Sequence, residues 1–156
     1  MTIVTARPPD RSYIAENDRE RRRLEALVDR LDDAALSRPM PAGWTVAAVL
    51  AHLAFWDQRI IVFVEALKRG ATVPHENEED VDWINDAAKP QQLALPPRRA
   101  ATLAVETARA TDHAVATLSD ELLARNAALA HPIYLLRATH RREHLDDIER
   151  VLKSHG

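Results

Sequence analysis

The sequence predicts an all-α protein, a four-helix bundle with a long crossover between the second and third helices. Three observations favour helices over strands. Only 3 of the 156 residues are glycine, and aromatic residues make up 4% of the chain. Alanine, leucine, arginine and glutamate, which are strong helix formers, are abundant, whereas a large β-sheet needs many β-branched and aromatic residues. Apolar residues also recur at helical spacing in several long segments.

Length and composition limit the class of protein. A chain of this length is expected to form one domain, residues 1–156. The formal net charge of −3 predicts no surface for nucleic acid or an anionic membrane. The absence of cysteine excludes disulfides and a cysteine nucleophile. No signal-peptide pattern opens the chain, and its most apolar run, residues 44–56, is too short to span a bilayer. We therefore expect a soluble cytoplasmic protein.

The first predicted helix spans residues 13–31 and follows a loose N-terminal lead-in, residues 1–12. Its apolar side chains share one face at helical spacing: Leu24, Leu27, Val28 and Leu31. The arginine-rich run at 19–23 is interpreted as a solvated face, because acidic residues flank and interrupt it. Two prolines and a glycine in the following segment end the helix.

The second predicted helix spans residues 45–69 and contains the first candidate metal ligand. The hydroxyl of Thr45 can cap its first turn, and Gly70 is a typical stop. Its apolar residues form one broad stripe: Val49, Leu53, Trp56, Ile60, Phe63, Val64 and Leu67. Because His52 lies within this stripe, the sequence predicts a buried imidazole.

Residues 71–97 are predicted to be the crossover linker, because they lack the periodicity of a long helix. The segment DWINDAA is expected to form only a short helical turn. The acidic run HENEED is interpreted as solvated, since it lacks the alternation of a calcium-binding loop. Trp83 and Asn85 are expected to cover the mouth of a pocket.

The third helix is predicted over residues 98–118, followed by a short extra turn in SDELLARN. The fourth is predicted to begin after Pro132, which suits a first helical position, and to run to the C-terminus. Five residues are expected to line one side of it: Ile133, His140, His144, Ile148 and Val151.

Three histidines form the candidate metal site. His140 and His144 are four residues apart, so they project from one face of a helix about one turn apart. His52 on another helix would supply a third nitrogen and leave an open coordination position, which is typical of catalytic metal sites. Alternatively, His52 bonds a carbonyl or an acid, and the other two lie at a solvated end of the bundle. The remaining histidines are expected to be solvated: His75, His113, His131 and His155.

Charged neighbours of these histidines have several possible roles. Asp57, Glu143 and Asp147 could orient a ligating imidazole. We interpret Asp57 and Glu143 as ordinary surface carboxylates. Asp147 is the best candidate of the three, because it lies on the histidine face of its helix, about one turn after His144. Arg59 either meets an anionic group at the pocket or extends along the rim of the bundle. No residue is assigned as a catalytic acid or base, and no organic cofactor motif is found.

Two segments resemble a known family. GWTVAAVLAHLAFWD, residues 43–57, resembles the W-[ST]-x6-H-L-x3-[DE] block of the DinB-like (YfiT-like) metal-dependent enzymes. ATHRREHLDDIERVL, residues 138–152, resembles their closing H-x3-H helix, and the order of the two motifs also matches. The resemblance implies a four-helix bundle, often a homodimer. It also implies a divalent metal, zinc or nickel, on His52, His140 and His144.

The resemblance also implies a function. Members of this family include transferases and isomerases that use low-molecular-weight thiols such as bacillithiol and mycothiol, and more distant members hydrolyse reactive small molecules. We therefore expect a metal-dependent enzyme acting on a small molecule, with thiol S-transfer as one hypothesis, although no thiol-binding signature is present. The competing hypothesis is a non-catalytic metal- or ligand-binding bundle with a role in stress response.

Overall fold

The computed structural model describes residues 7–154 and contains seven α-helices in that range. The elements are α1 (Tyr13–Arg30), α2 (Asp33–Leu36), β1 (Pro39–Met40), β2 (Trp44–Thr45), α3 (Val46–Lys68), α4 (Glu78–Ala94), α5 (Pro97–Ala116), α6 (Asp120–Ala127) and α7 (Ala138–Lys153). The all-α class is confirmed, because the described residues contain only two strands, each two residues long, which pair with each other in antiparallel orientation. The predictions for residues 1–6 and for His155 lie outside the described residues.

The first and third predicted helices are confirmed as α1 and α5, to within two residues at each end. These two helices are antiparallel neighbours. Tyr13 at the start of α1 donates a hydrogen bond to the Val115 carbonyl near the end of α5. Arg98 at the start of α5 donates to the Leu31 carbonyl just beyond α1. The expected extra turn in SDELLARN forms α6.

The second pair of antiparallel neighbours is α3 and α7. Near the start of α3, His52 contacts His144 in the middle of α7, whereas Asp57, further along α3, contacts Arg137 at the beginning of α7. Hydrogen bonds also join the early turns of α1 and α7, and ion pairs join their later turns, so α1 and α7 are parallel. It follows that α3 and α5, which pack against each other, are also parallel. Their connection must therefore return along the bundle.

Two apolar clusters fill the bundle, and a layer of buried polar residues separates them. Along α3 the change is visible: Leu53 belongs to one cluster, Ile60 belongs to the other, and Asp57 lies between them. Members of the polar layer come from α1, α3, α5 and α7 and from the residue before α7: Asn17, Asp57, Asp112, Arg137 and Arg141. The histidine cluster lies beside this layer.

The central helix α3 forms as predicted. The Thr45 hydroxyl accepts a hydrogen bond from the Ala48 N–H at 3.1 Å, which caps the first turn. Gly70 ends the helical segment with a φ of 68°, a left-handed conformation that favours glycine. In length and composition α3 could cross a membrane, but 72% of its most apolar 18-residue window is buried inside the protein. Such burial is typical of the core helix of a soluble bundle.

The crossover is more helical than predicted. Where a short turn was expected, α4 covers 17 residues. A capping box starts it: the Asn77 side chain accepts from the Asp80 N–H at 2.8 Å, and the Asp80 carboxylate accepts from the Asn77 N–H at 3.1 Å. The prediction was wrong because Gln92 is the one buried side chain of α4, so the sequence has no apolar stripe there.

The prediction for the start of the fourth helix is also wrong, because α7 begins at Ala138 rather than after Pro132. The intervening backbone is held by side chains instead. Asn126 accepts a hydrogen bond from the Ile133 N–H at 2.7 Å and donates one to the Ile133 carbonyl at 3.2 Å. Asn17 binds backbone groups on both sides of the helix start in the same way. These contacts satisfy polar groups that a helix would otherwise have paired.

Candidate metal centre

His52, His140 and His144 come together, as the sequence predicts. One nitrogen from each ring lies within 4.8 Å of the corresponding nitrogens of the other two. The Nε2 atoms of His140 and His144 are 3.2 Å apart. Two imidazole nitrogens on one tetrahedral zinc ion would be about 3.4 Å apart. The i,i+4 spacing on α7 therefore brings these two nitrogens close to the separation of two ligand atoms on one zinc ion.

Aromatic rings surround the His52 imidazole. His52 is 8% exposed, while His140 and His144 are half-buried. The ring centroids of Trp44 and Trp56 lie 5.6 and 6.4 Å from that of His52, both in edge-to-face orientation. Edge-to-face contacts with two tryptophans restrict the orientation of the His52 imidazole.

Burial keeps the three imidazoles neutral. It lowers the pKa of His52 to about 4, with a smaller contribution from His144. It is also the main reason that the pKa of His140 is lowered to about 2, with smaller contributions from the nearby His144, Arg137, His52 and Arg141. The pKa of His144 is also lowered by burial, although carboxylates on α7 oppose this shift. At neutral pH all three rings therefore present the unprotonated form that metal binding requires.

The hydrogen-bonding state of the cluster fits a divalent ion. The buried Nδ1 atoms of His52 and His140 have no hydrogen-bond partner among residues 7–154. An ion held by His140 Nε2 would leave the Nδ1 of His140 unpaired, so the Nδ1 of His52 is the atom whose lack of a partner an ion can relieve. The alternative in which His52 bonds a carbonyl or an acid is not observed, since its described contacts are with other aromatic rings. Unpaired buried polar atoms are costly, and three neutral nitrogen donors suit a borderline metal such as zinc.

The histidine cluster lines a pocket of about 890 Å³. One wall is apolar and comes from Met40, Trp44, Val49 and Val151. Charged side chains of α4 and α7 line the remainder: Asp86, Lys89, Glu143, Asp147 and Arg150. A concave site of this size, apolar with a few polar groups, is typical of small-molecule binding.

Helix α4 forms one side of the pocket. Asn85 lines the pocket, as expected, and its side chain accepts a hydrogen bond from Trp56 Nε1 at 2.9 Å. Lys89 Nζ donates to the carbonyl of Ala42 across the pocket rim. The expectation for Trp83 is wrong, because its side chain is 60% exposed and does not line the pocket.

The surface prediction for Asp57 is wrong, because this residue is 2% exposed. Its Oδ1 accepts a hydrogen bond from Arg137 Nε at 3.0 Å. Its Oδ2 accepts two from Arg141, Nε at 3.1 Å and Nη2 at 2.9 Å. The burial has a signal in the sequence: Leu53, Asp57 and Ile60 are spaced i, i+4 and i+7, so they share one face of α3.

The other charged candidates do not contact the imidazoles through hydrogen bonds within the described chain. Glu143 is exposed, as predicted. Asp147 lines the pocket but accepts a hydrogen bond from Arg150 Nη1 at 2.7 Å. Arg59 forms an ion pair with Glu76 in the loop before α4 and is not among the residues that line the pocket.

The histidines expected to be solvated are exposed where the structure describes them: His75, His113 and His131. The rings of His75 and His131 stack with their centroids 3.6 Å apart. Both lie in loops away from the cluster formed by α3 and α7.

The sequence matches the family model of the DinB superfamily over residues 16–146. The chain belongs to the DinB superfamily. The matched range contains all three histidines of the cluster, so the family resemblance read from the sequence is confirmed. No curated protein and no solved structure matches this DinB protein significantly. The family and the histidine cluster together indicate a metal-binding DinB-like protein.

Proposed function

We propose that this protein is a divalent-metal-dependent enzyme that acts on a small molecule, with His52, His140 and His144 as the metal ligands. The observation that carries this proposal is the convergence of three imidazole nitrogens, within 4.8 Å of one another, on a pocket of about 890 Å³. A structural ion is enclosed by its protein ligands, whereas a catalytic ion keeps a position open to substrate. Three ligands beside a pocket fit the second arrangement.

The pocket residues define the chemistry that this site supports. When bound, a divalent ion supplies Lewis acidity, which lowers the pKa of a thiol or water and so provides a nucleophile near neutral pH. The buried imidazoles stay neutral and present lone pairs at fixed positions. Trp44 and Val49 exclude water on the apolar side of the pocket. Zinc or nickel is the ion we propose, since imidazole donors suit both.

A low-molecular-weight thiol is the proposed cosubstrate. The sequence contains no cysteine, so a sulfur nucleophile must come from a second molecule. In the proposed transfer the thiol loses its proton to solvent, and its sulfur forms a bond to an electrophilic carbon. The leaving group departs with the electron pair of the bond that breaks. A cytoplasmic location, where thiols stay reduced, fits this proposal.

The first experiment measures metal content and turnover in protein purified without a histidine tag. We expect about one ion per chain in the wild type and in the control variant His113→Ala, whose exposed histidine lies elsewhere. The His52→Ala variant should fold but lose the ion. Incubation of metal-loaded protein with a thiol and a panel of electrophiles should give turnover that is lost in His52→Ala.

Two outcomes argue against this function. Undiminished turnover in folded His52→Ala would remove the histidine cluster from the mechanism. A tightly bound ion without exchangeable water, together with no turnover on any electrophile, would favour the non-catalytic metal-binding bundle instead.

A homodimer is also part of the proposal. Phe55 and Val62 are seven residues apart on one face of α3, and their side chains are 40% and 54% exposed. Exposed apolar side chains that share a face are typical of protein interfaces. Light scattering should give twice the chain mass of 17.5 kDa, and a single-chain mass would contradict the proposal.

A further inference from the structure

We propose that Asp57 is a positioning residue, whose carboxylate fixes α7 against α3 and thereby places His140 and His144 opposite His52. The inference rests on the proposed metal site and extends it to a residue outside the histidine cluster.

The carboxylate of Asp57 joins two arginines one turn apart on the same neighbouring segment. Arg137 and Arg141 donate to different oxygens of Asp57, at 3.0 Å and at 2.9–3.1 Å. All three side chains are buried, with exposures of 2% for Asp57, 6% for Arg137 and 0% for Arg141. Hydrogen bonds between charged groups are strong and directional, particularly away from water. Rotation or sliding of α7 along α3 would break both of these ion pairs.

Helices α5 and α1 hold the same turn of α7. From α5, Asp112 accepts a hydrogen bond from Arg141 Nη1 at 3.0 Å and forms an ion pair with Nη2 at 2.8 Å. From α1, the Asn17 side chain accepts a hydrogen bond from the Ala138 N–H at 2.9 Å, and the Asn17 backbone carbonyl accepts one from Arg141 Nη1 at 3.4 Å. Because α1, α3 and α5 each bind this turn, its position is set from three sides.

The arginines and histidines of α7 form one repeated pattern, Arg137-x-x-His140-Arg141-x-x-His144. Residues three apart on a helix differ by about 300° in direction, so the two arginines and the two histidines occupy adjacent faces of α7. A slip of α7 by one residue would move the histidines by about 1.5 Å and turn them by about 100°. Metal–ligand distances tolerate only about 0.2 Å. The contacts of Asp57 therefore fix a geometry that the metal site requires.

The core on either side of this layer does not supply the same specificity. Its two clusters consist of aliphatic and aromatic side chains, and apolar contacts are non-directional. Buried charged groups, by contrast, select one register when every partner is satisfied, a role that is established for some helical assemblies. The polar layer is thus the part of the bundle that favours the observed register of α7 over registers shifted by one residue.

The test uses the full chain and Co²⁺, whose visible absorption reports the number and arrangement of ligands. In Asp57→Asn we expect the Kd for Co²⁺ to rise roughly 10-fold or more, with a changed spectrum. The double variant Asp57→Asn/Arg137→Gln removes the unpaired arginine charge. It should regain thermal stability while keeping the weak binding and the changed spectrum. The control Tyr13→Phe loses a buried hydrogen bond between α1 and α5, so it should lose stability alone.

The outcomes separate this inference from the proposed function. Wild-type Kd and spectrum in folded Asp57→Asn or in the double variant would show a purely structural role and overturn the inference, while the metal site stands. If Asp57→Asn does not fold, the double variant decides by the same criteria. If the wild-type protein does not bind Co²⁺, the proposed metal site is wrong and the inference falls with it.

Discussion

Replacing His52 with leucine should stabilise the metal-free protein and abolish its stabilisation by metal. His52 is 8% exposed, and its Nδ1 has no partner in the described part of the chain. A buried polar atom without a partner costs about 1–3 kcal/mol. Leucine has a similar size and no polar atom, and it would extend the apolar stripe of α3. A buried imidazole that carries such a cost fits a ligand role better than a role in stability.

The expected changes in melting temperature follow from these free energies. A gain of about 1–2 kcal/mol would raise the Tm of the metal-free His52→Leu variant by roughly 2–8 °C for a chain of this length. In the wild type, an ion at 100 times its Kd would add about 2.7 kcal/mol. That addition corresponds to a further rise of roughly 5–11 °C, which the variant should lack.

Thermal unfolding followed by circular dichroism measures both effects, with chelator-treated protein in the absence and presence of zinc. The control His113→Ala should keep the full zinc-induced rise, because its imidazole is exposed and lies outside the cluster. Two results would refute the reasoning. A metal-free His52→Leu variant that melts several degrees below the wild type would show that the imidazole is a satisfied core residue. A zinc-induced rise equal to that of the wild type would show that it is not a ligand.

Three further predictions concern pH, the start of α7 and the crossover helix. Metal-free protein should lose stability as the pH falls from 6.5 to 4, because burial lowers the pKa of His52 to about 4 and the unfolded chain then binds a proton that the folded chain does not. Urea unfolding at pH 7.5 and pH 4 measures the loss of unfolding free energy between the two pH values, which should be smaller in His52→Leu than in the wild type by on the order of 3 kcal/mol. Equal losses in the two proteins would contradict this. Asn17→Ala should lower the free energy of unfolding by about 2–4 kcal/mol, because it leaves two backbone groups at the start of α7 unpaired. Urea denaturation measures this, and a change below about 0.5 kcal/mol would contradict the role given to Asn17. Asn77→Ala removes the capping box of α4 and should speed amide hydrogen exchange along α4 while leaving the global Tm almost unchanged, since one α4 side chain is buried. Unchanged exchange rates would show that the cap does not hold this helix.

The histidine cluster could be predicted because its signals are local. His140 and His144 share a helix face through their spacing alone, and His52 stands among apolar residues at helical spacing. A bundle then needs only to bring the two faces together. The same local reasoning was sufficient for α3, because its N-terminal cap, Thr45, and its stop, Gly70, lie next to the helix in the sequence.

The buried charges were missed because Asp57 was interpreted as a surface carboxylate and Arg141 was not singled out in the sequence. Spacing carried the opposite signal, since Arg141, Leu145 and Ile148 lie at i, i+4 and i+7 and are all fully buried. The partners could not be read from spacing. Asp57 and Arg141 are separated by 84 residues, and their pairing depends on how the helices pack.

The limits of α4 and α7 depend on contacts that local periodicity does not contain. Helix α4 has almost no buried face, so its main sequence signal is the capping box of Asn77 and Asp80. The start of α7 is set by asparagines on two other helices, Asn17 and Asn126, which bind the backbone before it. Tertiary hydrogen bonds thus overrode the suitability of Pro132 for a first helical position.

Anomalous diffraction at the zinc edge, from crystals loaded with one equivalent of zinc, tests the central claim most directly. We predict one strong peak per chain, about 2.0–2.1 Å from one nitrogen of each of His52, His140 and His144. A peak coordinated by other residues, or no peak at equimolar zinc, would contradict the assignment of this cluster as the metal centre.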